Sequence, residues 1–181
     1  GEFGRGSMGA IHVAEDSRLG RSVAMKVILS NEAPPREMIL RFIREAQVMA
    51  QLDHPNIVPI YELGVNSQDQ VFYAMKFVKG VTLHELLSKI SGGDEEMARK
   101  YHLGHLLTIF QKVCDGVAYA HSKGIIHRDL KPENIMIGEF GQVGREGLTL
   151  LLGEPQPHRR MDRPLLIHHA RLVLSLRHGN N

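Results

Sequence analysis

The chain has 181 residues, 43% of them hydrophobic and 23% charged, enough apolar material for an ordinary globular core, which excludes a disordered or collagen-like chain. A net charge of +2 over this length leaves no strong electrostatic footprint, so a nucleic-acid partner is not expected. The single cysteine, Cys114, forms no intramolecular disulfide, no leader pattern opens the chain, and no apolar run approaches the roughly 20 residues of a membrane span, so a reducing, cytoplasmic setting is expected for this stretch, whatever the full gene encodes.

Residues 10–14 and 22–29 are rich in β-branched and apolar side chains and are separated by Asp16, Gly20 and Arg21, which predicts a hairpin. Across residues 35–52, Met38, Phe42, Ala46 and Met49 recur at helical spacing with charged residues between them, until HPN at 54–56 ends the pattern. Residues 57–63 and 70–78 predict a second strand pair around a turn at 66–69. Residues 83–90 and 103–122 have helical period and are split by the polar stretch 91–96. Strands first, one helix among them and helices afterwards indicate an α+β class.

The chain divides in composition near residue 143. Residues 1–143 balance to a charge of −1 and hold every Phe and Tyr, whereas residues 144–181 have neither, have six Arg and no Lys, and balance to +3. Arg, Leu, His and Pro without Lys or aromatics is what GC-rich DNA read in a wrong frame encodes, although a genuine basic tail has a similar composition. Residues 164–177 put Leu and Val roughly on one helical face, with Asp162 before them as a cap and Gly179 after. The adjacent His168 and His169 point in different directions on such a helix and do not make a metal site.

Three motifs carry chemistry. GRGSMGAI at 4–11 contains GxGxxG, which by itself is more often an ordinary glycine-rich turn. Because a strand rather than a helix follows Gly9, the loop would fold over phosphates as a flap and not cradle a pyrophosphate on a helix N-terminus. Lys26 ends VAMK on the second strand; a solvent-facing lysine is the simpler reading, but in a buried strand it needs an anion, and Glu45 on the following helix is placed to supply one. HRDLKPEN at 127–134 is the specific segment: Asp129 is a loop carboxylate suited to accept a hydroxyl proton, Lys131 to meet a transferring phosphoryl group, and Asn134 to hold a magnesium ion through its amide oxygen.

In this order, with HPNIV at 54–58 between them, the motifs resemble a serine/threonine protein kinase of the bacterial Hanks type over about residues 1–143. The resemblance implies a two-lobed kinase fold: an antiparallel-sheet lobe with one helix over 1–78, the first part of a helical lobe over 79–143, and a tail, 144–181, outside the pattern. It implies ATP and Mg2+ as cofactors and a protein Ser or Thr as acceptor. Gly4, Arg5, Gly6, Ser7, Met8 and Gly9 would cover the phosphates. Lys26 would contact them, with Glu45 as its ion-pair partner. Asp129 would be the base, Lys131 would lie near the γ-phosphate, and Asn134 would bind the metal. Ile11 and Ala24 would roof the adenine and Met136 would floor it, with Met75 as gatekeeper and the backbone of Phe77 and Val78 at the purine edge. His127 and Arg128 would support the loop.

The chain also departs from the family. Where Asp-Phe-Gly or Asp-Trp-Gly is expected it has Glu146, Gly147, Leu148 and Thr149, no Ala-Pro-Glu segment follows, and Asp162 lacks a following glycine. The chain by itself is therefore expected to be inactive and marginally stable, with the apolar face of residues 103–120 left exposed. The alternative is a non-catalytic, nucleotide-binding pseudokinase or scaffold.

Overall fold

The computed structural model describes residues 2–6, 9–28, 34–138, 148–150 and 156–157. Ser7, Met8, Leu29 at the end of the second expected strand, Asp162 and the helix expected at 164–177 lie outside the described residues.

Strands β1 (Glu2–Gly6) and β2 (Gly9–Asp16) form an antiparallel hairpin, and β2 returns into β3 (Arg21–Val27) through a turn in which Gly20 has a φ of 61°. With β4 (Ile60–Val65) and β5 (Val71–Lys76) they build a five-stranded sheet of order β1-β2-β3-β5-β4, antiparallel at every pairing. The apolar stripe of α1 (Arg36–Met49) packs on one face of it. Phe42 and Ala46 meet Ala24, Val58, Tyr73 and Met75 in one cluster, the arrangement by which an amphipathic helix buries its stripe. At the β4–β5 turn, Asn66 Oδ1 accepts the N–H groups of Gln68 and Gln70. Asp69 takes a φ of 56°, a conformation that Asp tolerates better than most residues.

The apolar run at 57–60 looks like the start of a strand, yet the strand starts at Ile60. Ile57 and Val58 are spent on two different cores, Val58 under the sheet and Ile57 with Met49, Leu52, Ala120 and Ile125. This junction is tied further by Asn56 Nδ2, which donates to the Lys112 carbonyl at 2.9 Å, and by His54 stacked on Tyr119.

The helical part begins with β6 (Gly80–Thr82) and α2 (Leu83–Ser91), whose N-terminus is closed by a reciprocal box: Thr82 Oγ1 accepts the Glu85 N–H and Glu85 accepts the Thr82 N–H. The polar stretch expected to separate the two helices, 91–96, runs into a further helix, α3 (Glu95–Lys100), capped by Asp94 Oδ1 on the Met97 N–H. Next comes α4 (Leu103–Ser122). Its apolar face is not stripped bare: Ile109, Val113 and Val117 pack with Leu83, Leu86, Ile135 and Ile137, and Ala120 packs against Ile57. Leu103 and Leu107 are its exposed large apolar residues, at 72% and 56%.

After β7 (Ile125–Ile126), residues 127–134 form a loop ending in a 3-10 turn, Pro132–Asn134, and β8 (Ile135–Gly138) follows. Two short strands from the compositionally distinct tail flank this loop: β9 (Leu148–Leu150) pairs with β8, and β10 (Gln156–Pro157) pairs with β7. No helix among the described residues is long and apolar enough to cross a membrane.

Candidate active site

The glycine motif lies on the β1–β2 hairpin, with Gly4 opposite Ile11, Arg5 opposite Ala10 and Gly6 opposite Gly9. A strand and not a helix begins at Gly9, as expected from the residues that follow it. Gly9 has its own packing reason: a Cβ there would run into the carbonyl oxygen of Val27 on β3. Strand register then puts Ile11 opposite Lys26. Ala24 and Met75, which face each other across β3 and β5, share an apolar cluster with Ile11 and Phe77. Phe77 and Val78 follow the end of β5 at Lys76. Met136 is buried on β8, between Ile135 and Ile137 of the helical core, so strand alternation directs it to the opposite face. It is not among the residues that cluster with Ala24.

Lys26 Nζ lies 2.7 Å from Glu45 Oε1. Glu45 is 1% exposed and the Lys26 side chain 17%, so this is an ion pair largely withdrawn from water, which survives only with close geometry and further hydrogen bonds. One such bond is unannounced by the motifs: the Tyr73 hydroxyl donates to the same Oε1 at 2.6 Å, while Oε2 has no partner among the described residues. Burial, then the charge of Glu45 and the hydrogen bond to it, push the Tyr73 hydroxyl well above its ordinary value, so it stays a donor. Lys26 Nζ also lies 5.5 Å from the Tyr73 ring and 5.8 Å from the Phe42 ring, within cation–π range. Tyr73 stands two residues before Met75 on the same strand face, and the register sets it opposite Lys26.

The second cluster is exposed. In the loop after β7, His127 is buried and Arg128 has a φ of 57°, a left-handed conformation rare for a bulky side chain and typical of functional loops. Asp129 Oδ2 accepts from Lys131 Nζ at 3.0 Å and from Asn134 Nδ2 at 3.0 Å, and Nδ2 also donates to the Asp129 carbonyl at 2.7 Å. Desolvation alone would raise the Asp129 carboxyl, but the hydrogen bonds from Lys131 and Asn134 and the charge of Lys131 outweigh it and hold the group below its ordinary value. His84 on α2 lies 3.6 Å from Glu133 of the same loop, a contact the motif reading also missed.

The glycine hairpin, the buried Lys26–Glu45 pair and the Asp129–Lys131–Asn134 cluster follow one another along the chain. Over 144 residues the chain is 40% identical to the serine/threonine-protein kinase PknD of Chlamydia pneumoniae and to its namesake in Chlamydia muridarum, and 39% identical to that of Chlamydia trachomatis serovar D. Each alignment takes in 78% of this chain and 15% of the relative, so the chain spans about 15% of the length of these proteins. Residues 1–145 match the family described as the protein kinase domain, and the chain belongs to that family.

Proposed function

We propose that the chain is the ATP-binding and phosphoryl-transferring part of a serine/threonine protein kinase that acts on a protein hydroxyl. Residues 1–78 form the nucleotide-holding lobe, residues 79–143 the first part of the lobe that carries the catalytic loop, and residues 144–181 a tail outside the kinase pattern. The observation that carries the reading is the buried Lys26–Glu45 pair in one fold with the Asp129–Lys131–Asn134 cluster.

The residues fit a nucleotide. Ile11, Ala24, Met75 and Phe77 offer apolar surface for the base, with Met136 as the expected floor, and the residues after β5 reach its edge through Phe77 and Val78. The hairpin of Gly4, Arg5, Gly6 and Gly9, with Ser7 and Met8 between Gly6 and Gly9 in the sequence, covers the phosphates, and Lys26, fixed by Glu45, directs its charge to them. A complete magnesium centre is a poorer fit. Magnesium takes one or two carboxylates together with phosphate oxygens. The described residues hold no group of three or more His, Cys, Asp or Glu placed for a metal, and Asn134 brings one neutral ligand, its amide oxygen, since its nitrogen serves Asp129. When bound, the ion supplies charge neutralisation at the phosphates. Asp129, held ionised, orients the substrate hydroxyl and accepts its proton. Lys131 exchanges Asp129 for a phosphoryl oxygen, which makes the observed Lys131–Asp129 contact a resting arrangement.

Binding and transfer separate in the test. Purified chain should bind ATP, and Lys26→Met should abolish binding; wild-type chain that binds no ATP overturns the reading. Transfer to a generic serine/threonine substrate should not exceed that of Asp129→Asn, because residues 135–181 contain no Asp-Phe-Gly or Asp-Trp-Gly. A chain whose residues 144–181 are replaced by a kinase segment carrying that motif and Ala-Pro-Glu should transfer phosphate. A scaffold would bind ATP and stay silent even then.

A further inference from the structure

We propose that Tyr73 is a positioning residue for the phosphate-binding pair: its hydroxyl, bonded to Glu45, holds α1 where Glu45 meets Lys26. The proposal rests on the reading of Lys26 as the phosphate contact. Tyr73 sits opposite Lys26 in the β3–β5 register, and its hydroxyl and the Lys26 ammonium converge on one oxygen, at 2.6 and 2.7 Å. Its ring is buried and packs on Phe42 of α1 with centroids 4.9 Å apart, so the side chain touches the helix at two points, one apolar and one polar. Without the hydroxyl, a carboxylate that is 1% exposed would retain Lys26 as its single hydrogen-bond donor, because Oε2 has none among the described residues. A buried anion so poorly satisfied is costly, and rotation or outward movement of α1 relieves the cost by giving Glu45 water at the expense of Lys26.

Tyr73→Phe in the full chain removes the hydroxyl and keeps the ring on Phe42. Val58→Ala, in the same core, serves as a reference that lowers stability without touching a polar group. Binding of ATP and of adenosine is measured by calorimetry, and amide hydrogen exchange is followed in α1. The expected result is ATP binding weaker by about tenfold in Tyr73→Phe with adenosine changed by less than about twofold, the loss falling on the phosphates alone. Val58→Ala should affect the two ligands equally. Equal losses for both ligands in Tyr73→Phe, or no loss for ATP, overturn the proposal. If wild-type chain binds neither ligand, the nucleotide reading fails and α1 decides for Tyr73: faster exchange confined to α1 in Tyr73→Phe but not in Val58→Ala supports the positioning role, and unchanged exchange overturns it.

Discussion

The Lys26–Glu45 pair is best tested by a cycle that separates stability from function. Glu45→Leu leaves the Lys26 ammonium, 17% exposed, without its anion, and Lys26→Met leaves the Glu45 carboxylate, 1% exposed, with Tyr73 alone. Breaking a buried pair costs about 3–5 kcal/mol. The residual access of Lys26 to water puts Glu45→Leu at the low end, about 3 kcal/mol, and Lys26→Met somewhat higher. The double variant replaces both charges by apolar side chains of similar volume, so it loses chiefly the acceptor of the Tyr73 hydroxyl, about 1–2 kcal/mol. It should therefore be more stable than either single variant, in urea denaturation followed by circular dichroism. ATP binding should not return with stability, since no cation faces the phosphates. Single-variant losses that add within about 0.5 kcal/mol would show the two side chains to be uncoupled and refute the reasoning. Wild-type ATP affinity in the double variant would refute the role given to Lys26.

Three other outcomes follow from the geometry. Gly9→Ala drives a methyl into the Val27 carbonyl and should cost about 1–3 kcal/mol, read as a lower denaturation midpoint; an unchanged midpoint would contradict the close β2–β3 approach. Thr82→Ala removes one half of the α2 capping box and should cost about 1 kcal/mol in the same assay. Glu85 is held below its ordinary value first by the Thr82 backbone N–H and then by its hydroxyl, so the cap contributes fully above the ordinary carboxylate range and is lost as pH falls through the lowered value; a cap contribution independent of pH there would contradict this. Asn134→Leu deletes one of the hydrogen bonds that lower Asp129, so the Asp129 carboxyl should titrate at higher pH in carbon NMR, and an unmoved titration would remove Asn134 from the account.

The fold was legible wherever one periodicity had one cause. Phe42, Ala46 and Met49 repeat at helical spacing because one face of α1 is buried, and α4 spans the 103–122 read from its pattern. Pattern misleads where neighbouring apolar residues serve different cores, as at Ile57 and Val58, and where a helix is specified by its cap, as Asp94 specifies α3 without any buried side chain. The exposed face expected on α4 shrank to Leu103 and Leu107 because α2 and β8 already cover the rest. At the site, the chain order of Lys26, Glu45, Asp129, Lys131 and Asn134 was visible, since each is a charged or amide residue at a position where an apolar or turn residue would serve structure alone. Tyr73 was not, because a tyrosine in a strand is an ordinary core residue until the acceptor of its hydroxyl is known.

The two polar clusters differ in a way that bears on how such a chain loses activity. The Lys26–Glu45–Tyr73 cluster is buried and tied into the core through Phe42, so a chain that sheds it must repack α1 against the sheet. The Asp129–Lys131–Asn134 cluster is exposed, and ion pairs of that kind contribute little to stability. Folding therefore gains little from an aspartate at 129, and the role proposed for it is the substrate hydroxyl it would orient. A scaffold would therefore be free to replace Asp129 and Lys131 while keeping Lys26 and Glu45 for packing. That both clusters stand together here supports the proposed catalytic domain over a scaffold. The discriminating comparison is Asp129→Asn against Glu45→Leu: the first should leave the denaturation midpoint unchanged and abolish transfer in the chain with the kinase segment restored, and the second should lower both. A large stability loss in Asp129→Asn would mean the loop aspartate is structural and would remove this argument for catalysis.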